Sequence, residues 1–439
     1  MPETAGADRD AIPGALPGPG TAEMVRVFGR IGLLSFGGPA AQIALMHKEL
    51  VEDRPWLDED TYLRALSLCM LLPGPEAMQL ATYAGWRLRG VPGGLLAGGL
   101  FVVPGALVIA VLVALYAAFG QLDPVQAAFV GVKAAVIVIV VQALRGVARR
   151  ALKSRGAWIV ASLAFLAIFA LNLPFPLIIL GAGLWGYLKP PPTTPADIPP
   201  IPNLPPPAPL SAGPLRTAAT WLVLWLVPLA ALSLTGPPLL AEIGWFFAWL
   251  AVVTFGGAYA VLAYMTQTVV EQYAWISTAQ MIDALGLAET TPGPLILVTQ
   301  FVAMLAGFLS GGTGLALAAG VVALWATFVP CFLWIFLAGP FLDRLAARPR
   351  LTAALSGVTA AVVGVIANLS LWFALHVLFR DVGQARFGPV SLPWPAWSSL
   401  DPAALALTVL AALLVFGLRL GMVPVLALCA AFALCLNLV

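Results

Sequence analysis

The chain has 439 residues, 61% of them hydrophobic and 10% charged, with a net charge of +2. So apolar a composition excludes a soluble protein of this size, and so small a charge gives no electrostatic footing on nucleic acid. Apolar runs recur from about residue 24 to the last, each of the roughly 20 residues needed to cross a hydrocarbon core, so the fold class is all-α and the chain a polytopic integral membrane protein. Cys69, Cys331, Cys429 and Cys435 sit in apolar runs without C-x-x-C spacing, and His47 lies far from His376. Neither a disulfide framework nor a metal site is expected. No G-x-x-x-x-G-K-[ST] loop occurs, which argues against an ATP-driven pump, and no cofactor is expected.

In chain order, residues 1–20 are rich in Pro, Gly and Ala without a basic n-region or apolar core, so they are expected to be a disordered tail and not a signal peptide. Residues 21–188 form the first transmembrane repeat. Its first apolar segment, about 24–47, is interrupted at Ser35-Phe36-Gly37-Gly38-Pro39, and an acidic loop around Trp56 follows. The second, about 63–86, is broken at Leu72-Pro73-Gly74-Pro75-Glu76, with Arg87 and Arg89 at its aqueous boundary. Four further spans are expected at about 93–119, 124–144, 157–172 and 174–188, with the basic cluster Arg145, Arg149, Arg150, Lys153 and Arg155 between the middle two. Residues 189–215, with two runs of three prolines, read as a semi-rigid linker, 216–235 as a connecting transmembrane helix and 236–439 as the second repeat.

A shift of 219 residues superposes Phe36-Gly37-Gly38 on Phe255-Gly256-Gly257, Trp56 on Trp275 and Pro73-Gly74-Pro75 on Pro292-Gly293-Pro294. A shift of 226 matches Pro104 with Pro330, Gly131 with Gly357 and Gln142 with Asn368. These coincidences indicate an internal duplication. Six spans per copy plus the connecting helix give about 13 spans and two inverted-topology repeats. Placing the N-terminus in the cytoplasm puts Arg87, Arg89, the 145–155 cluster, Lys189, Arg216, Arg344, Arg348, Arg350 and Arg419 inside, and only Lys48, Arg54, Arg64, Arg380 and Arg386 outside. That is the positive-inside distribution, so a cytoplasmic N-terminus and an external C-terminus are expected; the location expected for such a chain is a cell membrane, the bacterial inner membrane.

Two prolines around a glycine remove two backbone donors, so a helix must stop and restart there. Such breaks at membrane depth line cavities. The restarted half-helices, with Pro75 and Pro294 in their first turns, would aim free N–H groups and a positive dipole end at an anion. The expected substrate site is therefore Ser35, Gly37, Gly38, Pro73, Gly74, Pro75 and Gln79 from the first copy, with Thr254, Gly256, Gly257, Thr290, Thr291, Pro292, Gly293 and Pro294 from the second. The threonines would add hydroxyl donors. The competing reading is that these residues only kink helices and let them pack closely. Glu76 would repel a bound anion unless protonated, as a proton-coupling group does, or else it caps the restarted helix. Lys133, inside an apolar span, is a candidate countercharge for substrate or for Glu76, or a snorkelling side chain. Asp283 and Glu289 read as the polar start of the second broken segment, and Tyr83, Trp86, Trp245, Trp249 and Tyr259 as interfacial or packing residues.

Phe36-Gly37-Gly38-Pro39, Leu57 after Trp56, and Leu72-Pro73-Gly74-Pro75 with Gln79 and Gly85-Trp86, repeated more loosely in the second half, resemble the chromate ion transporter family in its long two-domain form. The second copy departs from the motif with Ala258 for the proline and Leu295 for the glutamate. The resemblance implies export of chromate from the cytoplasm, driven by the proton gradient or by sulfate exchange. The residues alone reach a secondary transporter with an anion-friendly, inverted-repeat site, a chemistry that a tetrahedral oxyanion fits; with the resemblance, the expectation is a secondary transporter of tetrahedral oxyanions. Sulfate is the rival substrate, and an integral-membrane enzyme acting on a lipid-linked substrate is the rival class, for which His47 and His376 supply no cluster. The expected partners are chromate or a similar oxyanion and membrane lipid, not nucleic acid, and a homodimer is the assembly considered.

Overall fold

In the computed structural model the described residues are 19–36, 38–189, 212–255, 258–341, 349–388 and 390–437. The expected tail, most of the linker, and Gly37, Gly256 and Gly257 lie outside them.

Helix α1 (Thr21–Leu34) buries Met24, Val27, Phe28 and Ile31, the stripe that three- and four-residue spacing places on one face. Helix α2 (Gly38–His47) widens into a π-type turn at Lys48–Glu52. Helix α3 (Glu59–Leu71) starts where the Asp58 carboxylate accepts the Thr61 N–H at 2.8 Å. Helix α4 (Glu76–Phe119) is kinked at Arg89 and Gly90, the latter with φ 62°. Helices α5 (Asp123–Ala151), α6 (Arg155–Phe169) and α7 (Phe175–Leu188) close the first half, and α8 (Ala212–Thr235) leads to the second. There the pattern returns: α9 (Pro238–Val253), α10 (Ala258–Gln267) with a π-type turn at Thr268–Gln272, α11 (Thr278–Glu289) opened by a Ser277–Gln280 capping box, and α12 (Val298–Ala338) kinked at Gly311 and Gly312. Helices α13 (Pro349–Leu378), α14 (Pro402–Ala412) and α15 (Met422–Asn437) follow. Helices α4, α5, α8, α12 and α13 are long and apolar enough to cross a membrane, and α6, α7, α9, α14 and α15 are shorter apolar helices. One exception to the all-helical expectation is an antiparallel hairpin, β1 (Val382–Phe387) with β2 (Val390–Pro395).

The interrupted segments differ from the single broken spans expected for them. Arg30 and Glu49 are 19 residues apart, about 28 Å along a straight helix, yet their side chains meet at 3.4 Å, and Phe28 packs on Trp56 with ring centroids 6.3 Å apart. Helix α2 therefore folds back beside α1. Phe247 and Trp275, the shifted equivalents, make the same contact at 6.3 Å between α9 and the turn after α10. The descending part of α4 returns in the same way: the Arg89 guanidinium donates to the Thr21 hydroxyl, at the start of α1. The chain thus turns back between α1 and α2, between α9 and α10, and at the first Pro-Gly-Pro break, hairpins that a period-based reading cannot distinguish from kinks in a through-going helix.

The halves exchange partners. Gly131 of α5 lies against the Cys429 carbonyl of α15, while Gly357 of α13 lies against the Ala182 carbonyl of α7. Small residues allow these backbones to touch, the usual means of helix association in lipid. Helices α4 and α12 meet with Gly94 against Phe336 and Gly98 against Phe332, so their second segments run in opposite directions. The buried core, from Phe28 and Phe101 through Phe247 and Phe301 to Phe373, is continuous across both halves.

Candidate functional site

Each hairpin tip is fastened to a tip of the other half. The Gly74 N–H donates to the Thr254 carbonyl at 2.8 Å, and the Gly293 N–H donates to the Ser35 carbonyl at 3.0 Å. Gly74 (φ 117°) and Gly293 (φ 86°) occupy the left-handed region these turns need. Buried amides complete the splice: Gln42 Nε2 donates to the Gly293 carbonyl at 2.7 Å, and Gln79 Nε2 to the Pro73 carbonyl at 2.6 Å. The Ser35 and Thr254 hydroxyls turn inward to the Ile31 and Leu250 carbonyls of their own helices.

Beside the splice is a cavity of about 510 Å³. One wall is made of helix beginnings: Gly38, Pro39 and Ala40 of α2, Glu76 of α4, and Ala258 and Tyr259 of α10. Three positive helix ends therefore open on one space. Another wall is a stripe of α5 with four-residue spacing, Gln142, Gly146 and Arg150, of which Arg150 is exposed. Such a cavity favours a compact anion: N–H dipoles on one wall, a guanidinium on another, and a single carboxylate, Glu76, whose charge would compete with the ligand.

The expected residues divide. Gly38 and Glu76 line the cavity, while Ser35, Pro73, Gly74, Gln79 and Thr254 build the splice beside it. Pro75 supplies the cap position before α4. Gly37, Gly256 and Gly257 lie outside the described residues. The second Pro-Gly-Pro tip is displaced from the expected place: Pro292 has its carbonyl against Gly105 of α4, and Pro294 leads into a buried 3-10 turn at Leu295–Leu297, so α12 begins only at Val298. The Thr290 and Thr291 hydroxyls donate to the Leu287 and Ala288 carbonyls at 2.7 and 2.8 Å, which engages the protons assigned to substrate. The cavity lies between the first Pro-Gly-Pro tip and the two Phe-Gly-Gly tips, not between the two Pro-Gly-Pro tips.

Lys133 is paired with Asp283 of α11, Nζ to Oδ1 3.1 Å, and not with Glu76; the Tyr116 hydroxyl donates to the other Asp283 oxygen at 2.8 Å. Asp283 is 1% exposed, so it is no part of a polar helix start. Glu289, also buried, accepts from the Tyr259 hydroxyl at 2.8 Å, which ties the cavity wall to α11. Arg150 and Tyr259 line the cavity although the sequence reading did not name them as site candidates. A signal for Arg150 was present in the Gln142-Gly146-Arg150 spacing, which puts all three on one helix face. His47, at the loop end of the first hairpin, bridges Glu59 at 2.6 Å and Glu52 at 3.0 Å; the bond with Glu59 foremost raises its pKa above the usual 6.5. Among the described residues no group of three or more His, Cys, Asp or Glu side chains is arranged to hold a metal ion.

The family model described as Chromate transporter matches residues 22–187 and 241–435. The chromate transport protein of Cupriavidus metallidurans is 32% identical over 351 residues, which cover 78% of this chain and 80% of that protein. The chromate transport protein of Pseudomonas aeruginosa is 32% identical over 377 residues, 81% of this chain and 82% of that one. An uncharacterized transporter of Bacillus subtilis is 31% identical over 160 residues, which are 36% of this chain but 89% of that protein. A stretch about as long as one half thus makes up nearly a whole protein there. No solved structure matches.

Proposed function

Since the chain belongs to the chromate transporter family, we propose that it is a secondary transporter exporting chromate, or a closely similar tetrahedral oxyanion, by alternating access between two inverted repeats in the bacterial inner membrane. The observation that carries this reading is the cavity in which three helix beginnings and Arg150 converge. A dianion bound there exchanges its hydration for N–H donors and a guanidinium without a mobile countercharge. Inversion is supported by the opposite directions of α4 and α12 at Gly94–Phe336 and Gly98–Phe332. With Thr21 and Arg89 on the cytoplasmic face, Arg150 at the end of α5 lies on the same face, and the anion enters from the cytoplasm. Glu76 is the coupling group: it is the carboxylate that must be neutral while the anion occupies the cavity. Coupling is to protons or to sulfate exchange. The relatives are named as transport proteins, which supports a carrier over a lipid-modifying enzyme.

The experiment is binding and vesicle uptake of labelled chromate, with sulfate as competitor. Arg150→Gln should weaken chromate binding ten- to a hundredfold, from the roughly 1.5–3 kcal/mol of a hydrogen bond to a charged group. Thr290→Val with Thr291→Val is the control, expected to change affinity less than about threefold, because those hydroxyls already have carbonyl partners. Wild-type affinity in Arg150→Gln would remove the cavity as the site, and preference for sulfate over chromate would reassign the substrate.

A further inference from the structure

A second pocket, of about 120 Å³, lies under the β1–β2 hairpin. Its α13 wall is Asn368, Leu369, Trp372 and His376. Shifted back by 226 residues, these are Gln142, Ala143, Gly146 and Arg150, all four of which line the large cavity. The correspondence extends to the opposite wall. The large cavity touches the start of the α15 connection at Leu420, Gly421 and Met422, just after Arg419 with φ 54°; the small pocket touches the equivalent α6–α7 connection at Asn172, with φ 49°. It differs in depth. From α10 and the turn after it, the small pocket reaches Ala263, Thr266, Gln267 and Glu271, the loop end of the hairpin, whereas the large cavity reaches the break-proximal residues of α2.

The two spaces open toward opposite faces. Gly339, just past the end of α12, lies against Trp86, near the Arg89 kink, so α13 starts on that face and carries His376 to the far one. Where Gly146 leaves room, Trp372 fills, its ring 4.3 Å from that of His376. The hairpin covers the mouth, anchored by the Ser391 N–H donating to the Ala170 carbonyl at 2.9 Å.

We propose that this pocket is the collapsed counterpart of the Arg150 cavity, the vestibule through which the oxyanion leaves on the other face, with Trp372 as its plug and His376 in the position of Arg150. The inference rests on the transport reading above. It also makes the two ends chemically unequal: a guanidinium stays charged at every physiological pH, while an imidazole is not a permanent cation. The ionisable groups lining the pocket are His376 and Glu271, facing it from α13 and from the turn after α10; the α6–α7 connection and the hairpin contribute the neutral Asn172, Gln384 and Ser391. An anion admitted against the fixed charge of Arg150 thus meets no fixed cation at its exit.

The test uses the full chain in vesicles of known orientation, with Cys435→Ser because Cys69, Cys331 and Cys429 are buried. Asn368→Cys should react with a membrane-impermeant maleimide from the hairpin face only, and Trp372→Ala should speed that reaction at least tenfold. Equal rates with and without Trp372, or labelling from the Arg150 face, would overturn the assignment. This arm needs no substrate, so it decides the vestibule even if chromate proves not to be carried. In the second arm, Ser391→Trp and Gly383→Trp each fill the pocket mouth from a different strand. Chromate flux should fall at least tenfold in both while chromate binding from the Arg150 face is kept; unchanged flux in both would show that the anion leaves elsewhere.

Discussion

Lys133→Met removes the cation beside a carboxylate whose side chain is 2% exposed, across a gap of 3.1 Å. Stranding a buried charge costs about 3–5 kcal/mol. Lys133 itself is 17% exposed, so its ammonium keeps some hydration, which places the loss near the lower end, about 3 kcal/mol. The Tyr116 bond to Asp283 survives the substitution and holds the carboxylate in place; Tyr116→Phe would remove a further contribution of roughly 1.5–3 kcal/mol. Replacing both charges at once, as Lys133→Met with Asp283→Leu, deletes the desolvation penalty along with the attraction. That double variant should lie within about 1 kcal/mol of the wild type, or above it. The assay is the unfolding midpoint of the four purified proteins of this cycle in detergent. Both single variants should melt well below the wild type and the double should recover most of the loss. If the two single losses simply add, Lys133 and Asp283 are not a pair.

Glu76→Gln should leave chromate binding at pH 7 unchanged or tighter but flatten the pH dependence of transport, measured as vesicle flux across imposed gradients; a wild-type profile would make Glu76 a helix cap only. His47 is raised in the folded state by Glu59 and Glu52, so its stabilising contribution is complete below about pH 6.5 and is lost as pH rises through the folded value. Melting midpoints of His47→Gln should accordingly fall below the wild type at about pH 5.5 and converge with it at high pH. Gly32→Ala would put a methyl 2.1 Å from the Leu100 carbonyl and force α1 off α4, whereas Gly29→Ala meets nothing within 4 Å. The first should lower the melting midpoint by the equivalent of about 1–3 kcal/mol and the second should not; equal midpoints would refute the α1–α4 contact.

The positions of the breaks were legible because proline and glycine act locally: Pro73-Gly74-Pro75 stops a helix whatever surrounds it. The direction in which the chain leaves a break was not, because the fold-back is decided by Arg30 meeting Glu49 and Phe28 meeting Trp56, contacts between residues 19 or more apart. The duplication was visible as two constant shifts, but not the exchange that puts Gly74 on Thr254 and Gly293 on Ser35. Arg150 was hidden by its neighbours. A run of basic residues reads as an aqueous boundary, and the cluster does end α5, but the helix continues to Ala151 and turns that one arginine into the cavity. Lys133 stands out in the sequence as a charge in an apolar helix; its partner lies 150 residues away on α11 and leaves no mark on local pattern. Thr290 and Thr291 looked like donors because a hydroxyl near a break has no visible competitor in sequence, whereas in three dimensions the last carbonyls of α11 take both protons.

The exchanged fastening of the tips has a consequence for biogenesis. Thr254 is made 180 residues after Gly74, an interval of about 10–40 s at roughly 5–20 residues per second on the ribosome. Throughout it the first half sits in the bilayer with the Gly74 N–H and the Ser35 carbonyl lacking their final acceptor and donor, in a medium that offers no water to replace them. Nascent chains should therefore hold the first two hairpins loosely, as chaperone or translocon clients, until α9 to α11 emerge and close both splices together. A chain cut within residues 190–211 leaves both covalent halves intact, and its two products should complement each other only when synthesised in the same membrane, neither reaching the protease resistance of the whole alone.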